Sequence, residues 1–230
     1  MADLRPRGFQ SIPPVIKNLI IVNVLFWIAE LTFGDRFIDL LALHHYENPK
    51  FGIWQVVTYM FLHSKEFFHI LINMFVLWMF GSTLEDIWGS KRFLIFYLIC
   101  GVGAALVQLG VLGFSMEMLT NKLNSGAISL DEFKMRGGAV YWTSVVGASG
   151  AINGVMAAFA YTFPNAPLYI YGLFPVKAKY LVIAYFLLDL FGGINPSGGD
   201  NVAHFAHVGG AIVGLILVMT MNRSNRRTFY

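Results

Sequence analysis

The sequence predicts an all-α membrane protein, a bundle of six transmembrane helices. Hydrophobic residues make up 57% of its 230 residues and charged residues only 13%, roughly half of the charged share of a soluble domain. The apolar residues also fall into runs close to the roughly 20 residues that a helix needs to cross a bilayer core. A chain of this composition cannot cover itself with polar surface, which excludes a soluble fold.

Six apolar runs are the predicted membrane spans. Their bounds are roughly residues 14–33, 67–88, 93–115, 145–163, 178–193 and 202–221. The first run lacks a small-residue cleavage site, so it is predicted to be retained as a span rather than removed as a signal peptide. No internal repeat is visible, which argues against a transporter built from inverted repeats. Residues 1–230 are predicted to form one domain.

The basic residues predict the orientation, because short cytoplasmic loops carry an excess of Lys and Arg. Four segments on one side of a six-span topology are basic: the two termini, the loop between spans two and three, and the loop between spans four and five. Their basic residues are Arg5, Arg7, Lys17, Lys91, Arg92, Lys177, Lys179, Arg223, Arg226 and Arg227. Both termini are therefore predicted to be cytoplasmic.

Two longer connections lie on the opposite side. In residues 34–66, short apolar stretches are interrupted by charged residues and a proline, which predicts amphipathic elements lying in the outer interface. In residues 116–142, basic and acidic residues balance one another, and this segment is predicted to be a loop.

Polar side chains in three spans are predicted to share one depth. Span two carries His69 and Asn73, span four carries Ser149, and span six carries His207. Each span enters from the outer side shortly before these residues, so a rise of 1.5 Å per residue puts them roughly 5–10 Å below the outer surface. Polar groups are costly inside a bilayer and indicate a functional site.

These residue types together suit acyl transfer. A serine hydroxyl becomes a nucleophile when a neighbouring base takes its proton, and a neutral imidazole does so near pH 7. The oxyanion that forms needs donors aimed at it. His69 and Asn73 share a helix face because they are four residues apart, and the backbone N–H of Ser149 adds a third donor. Ser149 is thus the candidate nucleophile and His207 the candidate base.

Glycines predict that spans four and six pack closely. Each span carries two glycines four residues apart, a spacing that lets helix backbones approach one another. The helix-packing glycines are Gly147, Gly150, Gly154, Gly210 and Gly214. Such an approach would bring Ser149 within hydrogen-bonding reach of His207.

At these positions the sequence resembles the rhomboid family of intramembrane serine proteases. The matching motifs are GASG at 147–150, HVGGAIVG at 207–214 and HILIN at 69–73. Trp54 and the TYMFLH run at 58–63 resemble the family's first loop, and Glu85 resembles its acidic residue at the end of span two. Two positions depart from the family pattern: Gln55 stands where Arg is frequent, and Asn153 where an aromatic is frequent.

The resemblance implies a six-helix bundle in which Ser149 and His207 form a catalytic dyad and His69, Asn73 and the Ser149 amide line the oxyanion hole. It implies single-span membrane proteins as substrates, cleaved near the outer face of the lipid bilayer by water that enters from outside. No cofactor, metal or nucleic acid is expected. A six-span chain without a long targeting segment suits a bacterial inner membrane.

Two alternative functions stay open. A metalloprotease would use His69, His204 and His207 as zinc ligands, although the sequence has no glutamate between the last two, as an HExxH motif requires. A non-catalytic rhomboid-like binding protein would be expected to lack the serine or the histidine. Asp189 in span five and His204 are interpreted as structural polar residues, with the alternative that either helps to orient His207.

Overall fold

The chain folds into a helical bundle. The computed structural model describes residues 12–170, 173–194 and 203–224. The helices are α1 (Pro14–Phe33), α2 (Asp35–Leu41), α3 (Gln55–Thr58), α4 (Phe67–Trp88), α5 (Ser90–Asn124), α6 (Leu130–Trp142), α7 (Ser149–Thr162), α8 (Ala178–Ile194) and α9 (His204–Ser224). Outside the described residues lie Arg5, Arg7, Arg226 and Arg227 of the predicted cytoplasmic segments, and residue 202, where the sixth predicted span begins.

The chain is mostly helical, in agreement with the predicted class, and two small antiparallel sheets supplement the helices. Strand β1 (Leu43–His44) pairs with β2 (Ser144–Val145). Strands β3 (Pro167–Ile170) and β4 (Phe174–Lys177) pair as neighbours along the chain between α7 and α8. Strands this short satisfy backbone groups of the connections, and they are too short to give a periodic signal in the sequence.

Four of the described helices are long and apolar enough to cross a membrane: α1, α4, α5 and the part of α9 over His204–Met221. The remaining candidates are shorter, since α7 has 14 residues and α8 has 17. The helical fold and its apolar spans agree with the predicted membrane bundle. The number of six crossings and the cytoplasmic termini stay predictions.

The bounds of α1 and α4 are those predicted for spans one and two. The span predicted at 93–115 lies within α5, a single helix of 35 residues that extends beyond it at both ends. Hydropathy marks only the apolar part of such a helix and misses the polar turns that extend it. Spans four (145–163), five (178–193) and six (202–221) correspond to α7, α8 and α9.

The segment 116–142, predicted as the loop between spans three and four, is largely helical, because the end of α5 and the whole of α6 occupy most of it. Ser129 caps α6: its hydroxyl accepts the N–H of Glu132 at 3.1 Å. This Ser-x-x-Glu spacing is a known signature of a helix start. The sequence of this segment therefore contains a signal for a helix start, which its balanced charges alone do not indicate.

Helix α7 lies at the centre of the bundle. It packs most extensively against α9 and α5, and nine of its 14 residues are buried. The outer helices expose apolar side chains instead, among them Leu25 on α1, Ile72 on α4 and Leu188 on α8. Apolar residues outside and polar residues such as Asn73 inside are the arrangement expected in lipid.

Glu85 joins the end of α4 to the start of α1. Its carboxylate oxygens accept the backbone N–H groups of Val15 and Ile16, each at 2.9 Å. The Ser90 hydroxyl donates to the same carboxylate at 2.6 Å. Because the first N–H groups of a helix have no partner within it, Glu85 acts as the cap of α1.

The segment 34–66 forms short elements, as predicted, but its end is inserted into the bundle, where Tyr59, Leu62 and His63 are buried. The buried Gln55 side chain holds this segment together. Its amide donates to the carbonyl of Lys50 at 2.8 Å, and its Oε1 accepts the N–H of His44 at 3.3 Å. Gln55 thus anchors the segment where an arginine is frequent in similar sequences.

Candidate active site

The side chains of Ser149 and His207 meet between α7 and α9. Ser149 is the first residue of α7, and its Oγ lies 2.7 Å from Nε2 of His207. Ser149 is half-buried and His207 is buried. The two residues that the sequence singled out as nucleophile and base are therefore in hydrogen-bonding contact although 58 positions separate them.

Glycines make this contact possible because they bring the backbones of α7 and α9 together. A Cβ atom on Gly210 would collide with the carbonyl oxygen of Gly150. One turn further along, a Cβ on Gly214 would lie 2.5 Å from Cα of Gly154. The two pairs of glycines thus face each other across the helix interface, as close backbone approach requires.

The turn before Ser149 is held by contacts with the segment 34–66. Strand β2 ends at Val145 and pairs with β1. The N–H of Gly147 donates to the carbonyl of Tyr59 at 3.0 Å, and Gly147 has a φ of 135°, a conformation that side chains rarely allow. The buried end of the segment 34–66 therefore shapes the turn that presents the serine.

His69 lies beside this turn with a defined hydrogen-bonding partner. Its Nδ1 accepts the backbone N–H of Ser64 at 3.1 Å. In a neutral imidazole the other nitrogen, Nε2, then carries the hydrogen. The position that a Cβ would occupy on Gly147 is 3.6 Å from this Nε2 and 3.3 Å from Oγ of Ser149. A small space therefore lies between the hydroxyl and an N–H donor.

The other two expected donors lie nearby in the fold. Asn73 follows His69 by one turn of α4 and is buried; within the described ranges its side-chain amide makes no hydrogen bond. The N–H of Ser149 is the first of α7, and such N–H groups have no partner within their helix and attract negative charge.

Asp189 on α8 contacts the candidate base. Nδ1 of His207 lies 3.1 Å from Oδ1 and 3.2 Å from Oδ2 of this carboxylate. Nδ1 of His204 lies 2.8 Å from the same Oδ1. These contacts are compatible with both interpretations given for Asp189 and His204, as structural polar residues or as residues that orient His207.

The family of the chain follows from a match to a family model. The model described as "Rhomboid domain" matches residues 50–224, which is most of the chain. The chain belongs to the rhomboid family. This rhomboid is a multi-pass integral membrane protein, since the family match coincides with several helices apolar enough to span a bilayer.

Several curated rhomboids are similar over most of the chain. RHOMBOID-like protein 12, mitochondrial, of Arabidopsis thaliana is 28% identical over 88% of this chain. The rhomboid protease AarA of Providencia stuartii is 28% identical over 87% of it, and the rhomboid protease GlpG of Yersinia pseudotuberculosis 24% over 94%. The chain spans 56% of the Arabidopsis protein, 69% of AarA and 65% of GlpG.

Two residues near the site of this rhomboid, Ser64 and Glu30, were not predicted from the sequence. The carboxylate of Glu30 accepts the backbone N–H of His63 at 2.9 Å, and the His63 ring packs edge-on against His69, with 5.2 Å between ring centroids. Burial, and then the neighbouring His69, lower the pKa of His63 to about 3. His63 is therefore neutral near pH 7.

Proposed function

We propose that this rhomboid is a serine endopeptidase that hydrolyses peptide bonds in or near the transmembrane segments of membrane proteins. Ser149 is the nucleophile and His207 the general base. The observation that carries the proposal is the 2.7 Å distance between Oγ of Ser149 and Nε2 of His207, which is a good hydrogen-bond length.

The reaction follows from this geometry. Oγ of Ser149 attacks the scissile carbonyl carbon while its proton passes to Nε2 of His207. The carbonyl oxygen becomes an oxyanion in the space beside Gly147, where Nε2–H of His69, the Asn73 amide and the Ser149 N–H serve as donors. The His207 imidazolium then gives its proton to the leaving amine. Water, deprotonated by His207, attacks the acyl-serine ester and restores the hydroxyl.

The membrane arrangement extends the proposal. The chain crosses the bilayer six times, with both termini in the cytoplasm of a bacterium and the site near the outer face of its inner membrane. In support, Lys91, Arg92, Lys177 and Lys179 fall on one side of such a topology. The substrates are single-span membrane proteins whose cleavage site reaches the depth of Ser149.

The test uses purified protein in detergent and a model single-span substrate. Wild type should cleave it, whereas Ser149→Ala and His207→Ala should lower kcat by about 10³-fold or more, because members of such a unit fail individually. Ser144→Ala is the matched control, since Ser144 is exposed on β2 five residues before Ser149 and should leave the rate unchanged. Cleavage by Ser149→Ala at a rate comparable to that of wild type would overturn the mechanism.

The zinc alternative finds little support in the geometry. Both His204 and His207 direct Nδ1 at Asp189, and the described part of the chain contains no group of three His, Cys, Asp or Glu side chains arranged to hold a metal. The non-catalytic alternative conflicts with the intact Ser149–His207 contact. A chelator should therefore leave cleavage unchanged, and a serine-directed fluorophosphonate should label wild type but not Ser149→Ala.

A further inference from the structure

We infer that Asp189, supported by His204, is the positioning residue that holds His207 in the tautomer that accepts the serine proton, so that the site works as a Ser–His–Asp array. This inference rests on the proposed function and adds to it. The dyad that the resemblance implies includes no third residue. In this chain a carboxylate stands at the second nitrogen.

The contact is built from buried groups on two helices. Asp189 is 6% exposed and His207 is 8% exposed. Both carboxylate oxygens lie within 3.2 Å of Nδ1 of His207. An ionised carboxylate only accepts hydrogen bonds, so Nδ1 of His207 carries the hydrogen. Its Nε2 is then the unprotonated nitrogen, and it faces the Ser149 hydroxyl.

His204 contributes the second hydrogen bond to this carboxylate. Its Nδ1 lies 2.8 Å from Oδ1 of Asp189, one turn before His207 on α9. Gly192, one turn after Asp189 on α8, leaves room for the His204 ring, because a Cβ there would lie 2.7 Å from Cε1 of that imidazole. Glycine on α8 and histidine on α9 thus fit together and hold the carboxylate at His207.

Asn153, four positions after Ser149, does not orient His207. The Asn153 amide donates to the carbonyl of Ser149 at 2.9 Å, and in the described ranges none of its hydrogen bonds goes to His207. Tyr185, one turn before Asp189, interacts with both Asn153 and Asp189. Orientation of the base therefore comes from α8, across the helix interface, and not from α7.

The proton movements balance without any further reactant. When Ser149 attacks, its proton moves to Nε2 of His207, while the Nδ1 hydrogen stays on the ring and remains bonded to Asp189. The carboxylate keeps its charge and stabilises the imidazolium. Collapse of the tetrahedral intermediate moves the Nε2 proton to the leaving amine, and the array returns to its starting state.

The experiment compares Asp189→Asn with wild type in kcat and KM for the single-span substrate. An asparagine at this position can offer its N–H₂ to Nδ1 and hold the wrong tautomer, an effect that lowers kcat about 10⁴-fold in a soluble Ser–His–Asp enzyme. We expect kcat to fall by about 10²-fold or more and KM to change by less than about 2-fold. Asp131→Asn, an exposed acidic residue of α6, is the matched control.

His204 variants separate positioning from packing. The Nδ2 of an asparagine side chain can occupy the place of the histidine Nδ1, so His204→Asn should keep kcat within about 3-fold of wild type, whereas His204→Ala should lower it by about 10-fold. Equal losses in these two variants would contradict the role of His204 as a donor. Ser149 labelling by a fluorophosphonate should follow kcat, because the small probe does not need substrate docking.

The outcomes distinguish the inference from the proposed function. If Ser149→Ala is inactive but Asp189→Asn retains kcat within about 3-fold, the inference is wrong and the serine protease stands. If Ser149→Ala still cleaves, the protease mechanism itself fails. Should Asp189→Asn not fold, histidine ¹⁵N NMR of the wild type decides: an Nδ1-protonated His207 supports the inference, and an Nε2-protonated His207 overturns it.

Discussion

At the scale of single residues, the space beside Gly147 has the properties of an oxyanion site. It is bordered by Oγ of Ser149 and Nε2 of His69, and the backbone N–H of Ser64 keeps a hydrogen on that Nε2. A neutral donor aimed at a vacant position beside the nucleophile is what acyl transfer requires. The Ser64 hydroxyl lies 3.0 Å from Nδ1 of His69, so the backbone and the side chain of Ser64 both contact the nitrogen opposite this donor.

Gly147→Ala should abolish most of the activity. The new Cβ would lie 3.3 Å from Oγ of Ser149 and 3.6 Å from Nε2 of His69, in the place needed by the oxyanion. We expect kcat/KM to fall by about 10²-fold or more, measured with the single-span substrate.

The control for that variant is Gly126→Ala. Gly126 also has a positive φ, of 73°, but nothing lies within 4 Å of its Cβ position. Both variants share a backbone strain of about 1–3 kcal/mol, and only Gly147→Ala fills the site. Equal activity of the two variants would show that the space beside Gly147 is not used.

The residues of the site were predictable to different degrees. Ser149, His207 and His69 could be found from the sequence because polar residues in apolar spans are few and their depths coincide. The Asp189–His207 contact could be given only as an alternative, since it depends on how α8 is rotated and how far it lies from α9. Spacing along one chain carries no information on that distance.

At the scale of elements, the candidate site depends most on the packing of α7 against α9. Gly210→Ala places a Cβ against the carbonyl oxygen of Gly150, which must separate the helices that carry the candidate base and nucleophile. Overpacking of this kind lowers the free energy of unfolding by about 1–3 kcal/mol. We therefore expect a lower Tm in detergent and a lower rate of substrate cleavage.

Gly110→Ala is the matched control for this helix contact. Gly110 also lies within a long helix, α5, and nothing is found within 4 Å of its Cβ position. Alanine favours a helix over glycine by about 1 kcal/mol, so this variant should keep its rate and its Tm should not fall. A fall in Tm as large as that of Gly210→Ala would mean that helix packing is not the cause.

The helices themselves were predictable where a change in chemistry marks their ends. Helix α4 begins directly after Lys65 and Glu66 and ends before Gly89, so its ends coincide with those predicted for span two. Helix α5 continues past the apolar run into polar turns, where no hydropathy signal ends it. The pairing of β1 with β2 joins residues about 100 positions apart, and only the assembled fold produces it.

At the scale of the whole molecule, the topology can be tested by labelling introduced cysteines, because the chain has no exposed thiol of its own. Cys100 is its single cysteine and is fully buried, so wild type should resist a membrane-impermeant maleimide. Lys122 and Lys177 are both exposed and lie on opposite sides of the proposed six-span arrangement.

In intact cells, Lys122→Cys should therefore react with the impermeant maleimide, whereas Lys177→Cys should react only after the membrane is permeabilised. The wild-type chain is the background control, and both variants should keep protease activity. Labelling of both cysteines in intact cells would contradict six crossings with cytoplasmic termini. Labelling of Lys177→Cys alone would reverse the orientation.

The hydrogen bond from the N–H of Gly147 to the carbonyl of Tyr59 predicts where mutations that abolish proteolysis should fall. The backbone turn just before Ser149 is shaped by a region some ninety positions earlier in the chain. That region supplies no group to the proposed reaction. Random mutagenesis screened for lost proteolysis should accordingly yield many hits between residues 43 and 63. Those hits that remain normally abundant and correctly inserted would act through the turn before Ser149, and they would easily be mistaken for defects in substrate recognition.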